Sequence, residues 1–419
     1  MSKFQAELPA VAAVLEASYA PGDIVARGGL AEAGNLLLQR VTERADQATA
    51  ATYLAHVLQE VRIADIQEPI TRESVTLAPL LDDLADPAKT PWTKPIRLVR
   101  TDAGQPLRPV YSEPTLETVA DLPAFSEAGL FCGKNVLFVG MGGGSDVIQA
   151  AILSEYMQRT FGSTAAAFGS VRKAGNKLLN AELPSADSAT LKLVGPQTTS
   201  QGDWRFLENI MLQHENDPSA HVPMYMINTL DTQAIERDVR ILHDMYRPDV
   251  VVGVDTGGDS LRTMESGAES QDSLEATPDQ DHSVLEALHE AELALSSDGT
   301  AFMTAIVAPG VDTPDDAPQK LRDAGYVRLP LTEADKAYGC VRYAELGMDG
   351  SGNQQNRFGK TALAFLAGLR GQRGLTMLNL PPAYVLSRDN PWRAAIEITP
   401  AMGEIVITRL ARHYKTISR

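Results

Sequence analysis

From Cys132 onward, short apolar runs alternate with longer amphipathic segments. Apolar runs of about four to eight residues are typical of strands buried on both faces, and the segments between them have helical periodicity. The predicted strands are 135–140, 164–169, 222–228, 249–254, 301–308, 375–380 and 393–398. The predicted helices are 145–160, 203–213, 231–246, 281–296, 315–324, 332–347 and 358–370. This alternation predicts an α/β fold, a Rossmann-like doubly wound and mainly parallel sheet with helices on both faces.

The first 125 residues have a different pattern. They are rich in Ala, Leu and Glu, and their periodicity predicts helices at 5–18, 30–46 and 47–65. A proline-rich stretch at 87–115 follows, with a short predicted strand at 96–100. We therefore predict a mostly helical N-terminal region over 1–125 and a Rossmann-like domain with glycine-rich ligand loops over 126–419.

Composition narrows the classes of partner. The 419 residues carry a formal net charge of −17, which argues against nucleic acid or an anionic membrane surface as the main partner. Two distant cysteines make neither a disulfide framework nor a zinc site. No stretch approaches the roughly 20 apolar residues needed to span a bilayer. The expectation is a soluble cytoplasmic protein, with a homodimer as the default assembly.

The most informative stretch follows the first predicted strand of the α/β region. Its small and polar residues are Gly140, Gly142, Gly143, Gly144, Ser145 and Asp146. Glycines let the backbone approach a ligand closely, and the first N–H groups of the next helix point towards an anion. The loop therefore predicts binding of phosphate. A tight strand-to-helix turn without a ligand is the simpler alternative.

This loop departs from the known nucleotide motifs. A dinucleotide fingerprint requires Gly or Ala where Ser145 stands, and an acid at the end of the second strand. That strand instead leads through Ser170 into the basic pair Arg172 and Lys173. The missing acid argues against NAD as the ligand, whereas it leaves open NADP or another phosphorylated ligand. The loop also fits S-adenosylmethionine enzymes, again without their acid, and it is not a P-loop.

A second loop follows the predicted strand 249–254. It contains Asp255, Gly257, Gly258 and Asp259. Because the carboxyl ends of parallel strands meet at one edge of a sheet, both glycine loops should face the same crevice. Asp255 and Asp259 could hold Mg²⁺, orient a ribose, or act as acid and base. In the simpler alternative, Asp255 caps a turn and Asp259 is solvated.

Three further segments carry weaker signals. The polar loop 256–280 is long enough to suggest a functional role, and we interpret the next residue, Asp281, as a helix cap. His282 is expected to be exposed, with a role as general base as the alternative. The turn at 308–313 should place a third loop on the same edge.

Several stretches of the sequence carry a family resemblance. They are the two glycine-containing stretches Val139 to Val147 and 253–261, Glu265 or Glu269, and the Thr-Pro-x-x-Asp stretch at 277–281. They resemble an uncharacterised bacterial and archaeal family, domain-of-unknown-function family 1152, over roughly residues 130 to 400. The resemblance implies a Rossmann-like fold and a ligand crevice. It implies no specific activity.

Three functional classes follow from these observations. The first is an enzyme that binds a nucleotide or another phosphorylated metabolite, with Mg²⁺ as the cofactor, for group transfer or hydrolysis at phosphate. In such an enzyme the ligand is contacted by the glycine-loop amides, Ser170, Gly257 and Gly258. Arg172 or Lys173 neutralises the charge of the phosphate. Three acids act at the reacting centre: Asp146, Asp255 and Asp259. The second class is an enzyme that uses NADP or S-adenosylmethionine. The third is a metabolite-binding sensor or scaffold.

Overall fold

The computed structural model describes part of the chain. The described ranges are 62–64, 97–99, 108–110, 116–142, 145–172, 177–201, 207–209, 212, 221–263, 278–346, 360–379 and 393–418. The predicted helices 5–18 and 30–46 lie outside these ranges. Of the predicted helix 47–65, only residues 62–64 are described, and they form a strand. The short strand predicted at 96–100 is confirmed by Arg97–Val99.

The described strands, in chain order β1 to β15, are Arg62–Ala64, Arg97–Val99, Arg108–Val110, Asn135–Gly140, Thr164–Val171, Lys177–Leu179, Leu191–Val194, Thr199–Gln201, Met224–Ile227, Val250–Thr256, Ala301–Val307, Val327–Arg328, Gly374–Asn379, Arg393–Ile398 and Ile405–Arg409. The described α-helices, α1 to α7, are Ser145–Phe161, Thr232–Tyr246, Pro278–Ala294, Ala317–Asp323, Glu333–Leu346, Lys360–Leu369 and Leu410–Ile417. Short 3₁₀ turns occur at Ala128–Leu130, Asp259–Leu261, Ser296–Asp298 and Pro400–Gly403.

The larger of two compact units contains an eight-stranded sheet in the order β12-β15-β11-β10-β4-β5-β9-β7. The five central strands, β11 to β9 in this order, are parallel. β15 runs antiparallel to β11 and β12, and β7 runs antiparallel to β9. The predicted α/β architecture with a mainly parallel sheet is therefore confirmed. The antiparallel strands at both ends make the sheet mixed.

The strand registers bring three loops to one edge. Val254 of β10 pairs with Gly140 of β4, and Thr256 pairs with Val307 of β11. The segments after these three parallel strands therefore leave the sheet side by side. The backbone N–H of Gly257 continues the ladder by donating to the carbonyl of Val307 at 2.9 Å. The predicted convergence of the loops after 140, 256 and 307 is confirmed.

The core lies between this sheet and its helices. On one face, the buried side chains of β4 and β10 pack with those of α2, α3 and α7. Ile306 and Val406 pack with a second cluster, which includes Leu321 of α4. Central strands such as Val250–Thr256 are buried at every position, which explains their continuous apolar sequence. Among the described helices, none is long and apolar enough to cross a lipid bilayer.

The second compact unit contains a five-stranded sheet in the order β1-β2-β3-β14-β13. The hairpin of β13 and β14 comes from the C-terminal part of the chain, and Ala395 of β14 pairs in parallel with Val110 of β3. The predicted strands 375–380 and 393–398 thus exist, but they pair outside the eight-stranded sheet.

The predicted elements of the larger unit agree with the structure to within a few residues at each end, with one exception. In the predicted helix 203–213, residues 208 and 209 form a turn, and most other positions lie outside the described ranges. The pattern also missed five short strands and the C-terminal helix: β6, β7, β8, β12, β15 and α7.

Candidate functional site

Three buried carboxylates meet beyond the carboxyl end of β10. They belong to Asp255 at the end of β10, Asp259 in the following 3₁₀ turn, and Asp281 in the first turns of α3. One oxygen of each lies within 4.8 Å of the others. All three residues are buried. A buried carboxylate without compensation is costly, so three together require protons or a cation.

Asp146, the second residue of α1, adds a fourth acid to this edge. Its Oδ2 accepts a hydrogen bond from the backbone N–H of Gly142. Burial raises the pKa of Asp146 from 3.8 to about 7, and the hydrogen bond from the Gly142 N–H opposes the rise. The negative charge of Asp259 adds to it.

The charges of neighbouring acids add to the raised pKa values of Asp255 and Asp281. Burial is the largest cause of the raised pKa of Asp255, and the charges of Asp259 and Asp146 follow. Burial likewise raises the pKa of Asp281 well above 3.8, with the charges of Asp259 and Asp255 next. The Oδ1 atom of Asp281 is buried and has no hydrogen-bond partner. A Cβ added at Gly142 would lie 3.3 Å from this atom, so the first glycine loop adjoins the cluster.

Gly257 and Gly258 form the sharp turn between Asp255 and Asp259. Their φ angles are +109° and +102°, in the left-handed region that disfavours other residues. This turn returns the chain so that the Ser260 hydroxyl donates to Asp255 Oδ2. The carbonyl of Gly257 accepts from the backbone N–H of Gly310, which ties the loop after β11 to the same edge.

The basic side chain predicted to neutralise a ligand already has an acidic partner. Arg172 donates from Nη2 to Glu208 Oε2 at 3.1 Å, and its Nε contacts Oε1 of the same carboxylate. The hydroxyl of Ser170 also donates to Glu208 Oε1, at 2.9 Å. Ser170 and Arg172 therefore form a buried network at the end of β5. Ligand contact by Ser170 stays a prediction.

The start of α3 contributes residues that the sequence pattern did not assign to the site. The helix begins at Pro278, so Asp281 is inside it, and the interpretation of Asp281 as a cap is wrong. Gln280 donates from Nε2 to the carbonyl of Val171 at 2.8 Å and so binds α3 to the end of β5. His282 is buried rather than exposed, and its Nε2 lies 2.8 Å from the carbonyl of Arg262.

The remaining predicted contacts divide into two groups. Gly140 ends β4, Gly142 contacts the acid cluster, and Ser145 begins α1. The others lie outside the described residues: the predicted contacts Gly143, Gly144 and Lys173, and Glu265 and Glu269 of the family resemblance.

The arrangement suits a hard cation. Its donors are carboxylate oxygens, which Mg²⁺ and Ca²⁺ prefer. At metal–oxygen distances of about 2.0–2.6 Å, two ligand atoms of one ion are roughly 3–5 Å apart, which matches the three acids. Comparisons of the chain with protein-family models, curated proteins and solved structures find no match. The geometry of this edge is therefore the basis for assigning a function.

Proposed function

We propose that this protein is an enzyme that uses a divalent cation, Mg²⁺ first, to bind a nucleotide or another phosphorylated small molecule. The reaction is group transfer or hydrolysis at phosphate. The observation that carries the proposal is the set of three buried carboxylates of Asp255, Asp259 and Asp281 at the carboxyl edge of a parallel sheet. Ligands of open α/β sheets bind at this edge.

A cation is what makes an acidic edge compatible with a phosphorylated ligand. Ionised carboxylates repel phosphate, and the nearby cation Arg172 already pairs with Glu208. An ion held by the three acids neutralises the charges of the carboxylates and of the phosphate, and it draws electrons from the phosphoryl group. In this proposal Asp255, Asp259 and Asp281 are the metal ligands. Asp146 beside them orients the attacking hydroxyl or water.

The glycine loop has a narrower part in this proposal than its sequence alone suggested. The N–H of Gly142 donates to Asp146, so it is engaged by the protein's own carboxylate. Contact with phosphate falls to the amides of Gly143, Gly144 and Ser145, ahead of the positive end of α1. The resemblance to domain-of-unknown-function family 1152 stays a prediction and adds no activity.

The first experiment measures cation binding. Mg²⁺, Mn²⁺ and Ca²⁺ are titrated into the chelator-treated full chain by calorimetry, with thermal unfolding as a second readout. At 100 times its dissociation constant, a bound ion adds about 2.7 kcal/mol to the free energy of unfolding. We expect Asp255→Asn and Asp281→Asn to weaken binding by about tenfold or more, since each removes a charged ligand. Asp298→Asn, the same change at an exposed acid, should have no effect.

The second experiment identifies the ligand class. Nucleoside triphosphates, sugar phosphates, NADP and S-adenosylmethionine are each added with and without Mg²⁺, and phosphate release is followed. Stabilisation by a phosphorylated compound only with the cation, together with phosphate transfer or release, supports the proposal. Stabilisation by NADP or S-adenosylmethionine without the cation assigns the site to the second class of enzyme. Binding without turnover favours a sensor. Absence of cation binding overturns the proposal.

A further inference from the structure

We infer that His413 and Tyr326 are positioning residues, which hold Asp255 in the acid cluster through Ser260. This inference rests on the proposed cation site, but it assigns a function to two side chains that no sequence motif singles out. Both residues follow β11 in the chain: Tyr326 lies immediately before β12, and His413 lies in α7.

The first connection runs from Ser260 to Asp255. The Ser260 hydroxyl donates to Asp255 Oδ2, and its backbone N–H also bonds the same carboxylate. Two donors from one residue fix both the position and the rotation of the carboxylate. The orientation of Asp255 therefore depends on where the 3₁₀ turn Asp259–Leu261 places Ser260.

The second connection fixes Ser260 itself. His413 Nε2 lies 3.1 Å from the backbone carbonyl of Ser260. A carbonyl can only accept, so Nε2 carries the proton and Nδ1 is the acceptor. The hydroxyl of Tyr326 lies 2.7 Å from Nδ1 and donates to it. Burial lowers the pKa of His413 to about 4, which keeps the ring neutral and in this tautomer near pH 7.

Packing alone does not explain why a histidine, rather than an apolar residue, occupies position 413. Helix α7 buries Leu410, His413 and Ile417 on one face, at the spacing of an amphipathic helix. A leucine at 413 would suit this face but could not donate to Ser260. A second histidine contacts the same turn from another helix: His282 of α3 bonds the carbonyl of Arg262. Histidines of α7 and α3 thus bind the carbonyls of Ser260 and Arg262, in the segment that positions Asp259 and Ser260.

The test compares cation affinity among three variants of the full chain. His413→Leu removes the donor, His413→Gln places an amide N–H near the position of Nε2, and Tyr326→Phe removes one hydroxyl. Substitution of groups that orient metal ligands lowers metal affinity by about 10–100-fold. We expect a loss in this range for His413→Leu, recovery of most of it in His413→Gln, and a smaller loss for Tyr326→Phe.

The matched control is His289→Leu. His289 of α3 stacks on Tyr414 of α7 at 4.3 Å, so this variant changes a contact of the same helix α7 away from the turn. A purely structural role would lower the melting temperature in His413→Leu and in the control, and it would leave the Mn²⁺ dissociation constant of the folded protein unchanged. A positioning role changes that constant in His413→Leu alone.

The outcomes separate this inference from the proposed function. If the wild type binds Mn²⁺ and both His413→Leu and Tyr326→Phe bind it within twofold of the wild type, the positioning role is rejected and the cation site stands. If His413→Leu does not fold, Tyr326→Phe decides by the same criterion, since it removes one oxygen only. If the wild type binds no cation, both proposals fall together.

Discussion

The carboxylate of Asp146 accepts a hydrogen bond from the backbone N–H of Gly142, four residues earlier in the chain. A glycine loop that leads into a helix normally offers such an N–H group to the anion of a ligand. Here an acid of the same loop occupies it, and that acid is buried beside the carboxylates of β10 and α3. The loop therefore begins as part of an acidic site rather than as an open phosphate cradle.

The first prediction concerns the pH dependence of the cation-free protein. The fold raises the pKa of Asp146 from 3.8 to about 7, so it favours the protonated acid. The contribution of protonated Asp146 to the free energy of unfolding is fully present below pH 3.8, and it is lost as the pH rises to about 7. Asp146→Asn keeps an acceptor for Gly142 and cannot ionise. We expect its melting temperature to exceed that of the wild type by several degrees at pH 7, and by little at pH 4.

His413 acts in the opposite direction and must be separated from this effect. Burial lowers its pKa from 6.5 to about 4, so its contribution to stability is lost as the pH falls from 6.5 to 4. The difference between wild type and Asp146→Asn cancels this effect, because both proteins contain His413. An equal difference at pH 4 and pH 7 would contradict the assignment to Asp146.

The second prediction concerns the space at Gly142. A Cβ added there would lie 2.6 Å from Asp146 Oδ2, closer than a carbon and an oxygen can approach. Gly142→Ala therefore forces the carboxylate away and breaks its bond to the loop. We expect a loss of about 1–3 kcal/mol in the free energy of unfolding, measured by urea denaturation, together with weaker cation binding.

Gly129→Ala is the matched control for Gly142. A Cβ added at Gly129 has no neighbour within 4 Å, and its φ is not positive. The control should change stability by less than about 0.5 kcal/mol, as surface substitutions generally do. Equal losses in the two variants would mean that Asp146 does not occupy the space beside Gly142.

The site was predictable from the sequence as far as the strands determine it. Parallel strands buried on both faces are continuous apolar runs, so the ends of β4 and β10 could be located, and Asp255 follows directly from them. The contribution of Asp281 was not predictable in the same way. Helical periodicity identifies α3, but it does not indicate which side of its first turns faces the sheet edge.

Long-range pairing explains the other differences. Ile405–Arg409 is a short apolar strand whose antiparallel partner β11 lies about a hundred residues earlier. Ala395 of β14 pairs with Val110 of β3 across an even longer separation. Local patterns contain no information on such partners. His413 left one weak signal, a polar residue on the apolar face of Leu410 and Ile417.

The third prediction separates backbone strain from steric contact in the second glycine loop. Gly258 has a φ of +102°, and an added Cβ would lie 2.5 Å from Thr313 Cγ2. Gly299 has a φ of +76° with no neighbour within 4 Å. Both alanine variants should lose about 1–2 kcal/mol from the left-handed backbone. Gly258→Ala should lose about 1–3 kcal/mol more from the contact.

A rescue variant tests the cause of the additional loss. Thr313→Ser removes the methyl group that the new Cβ would meet and keeps the hydroxyl. In the Gly258→Ala background it should restore most of the difference from Gly299→Ala, as measured by chemical denaturation. Failure of the rescue would mean that the steric contact with Thr313 is not the reason for glycine at 258.

The last prediction concerns the ion pair at the end of β5. Glu208 is buried and accepts hydrogen bonds from Arg172 and Ser170, so Glu208→Gln leaves a buried guanidinium without its counter-charge. Removing one partner of a buried pair costs about 3–5 kcal/mol. The control is Glu236→Gln, the same change in an exposed pair with Arg240, which should cost about 0.5 kcal/mol or less. A loss in Glu208→Gln as small as in the control would show that Arg172 does not depend on Glu208. Arg172 would then be available to the phosphorylated ligand, as the sequence alone had suggested.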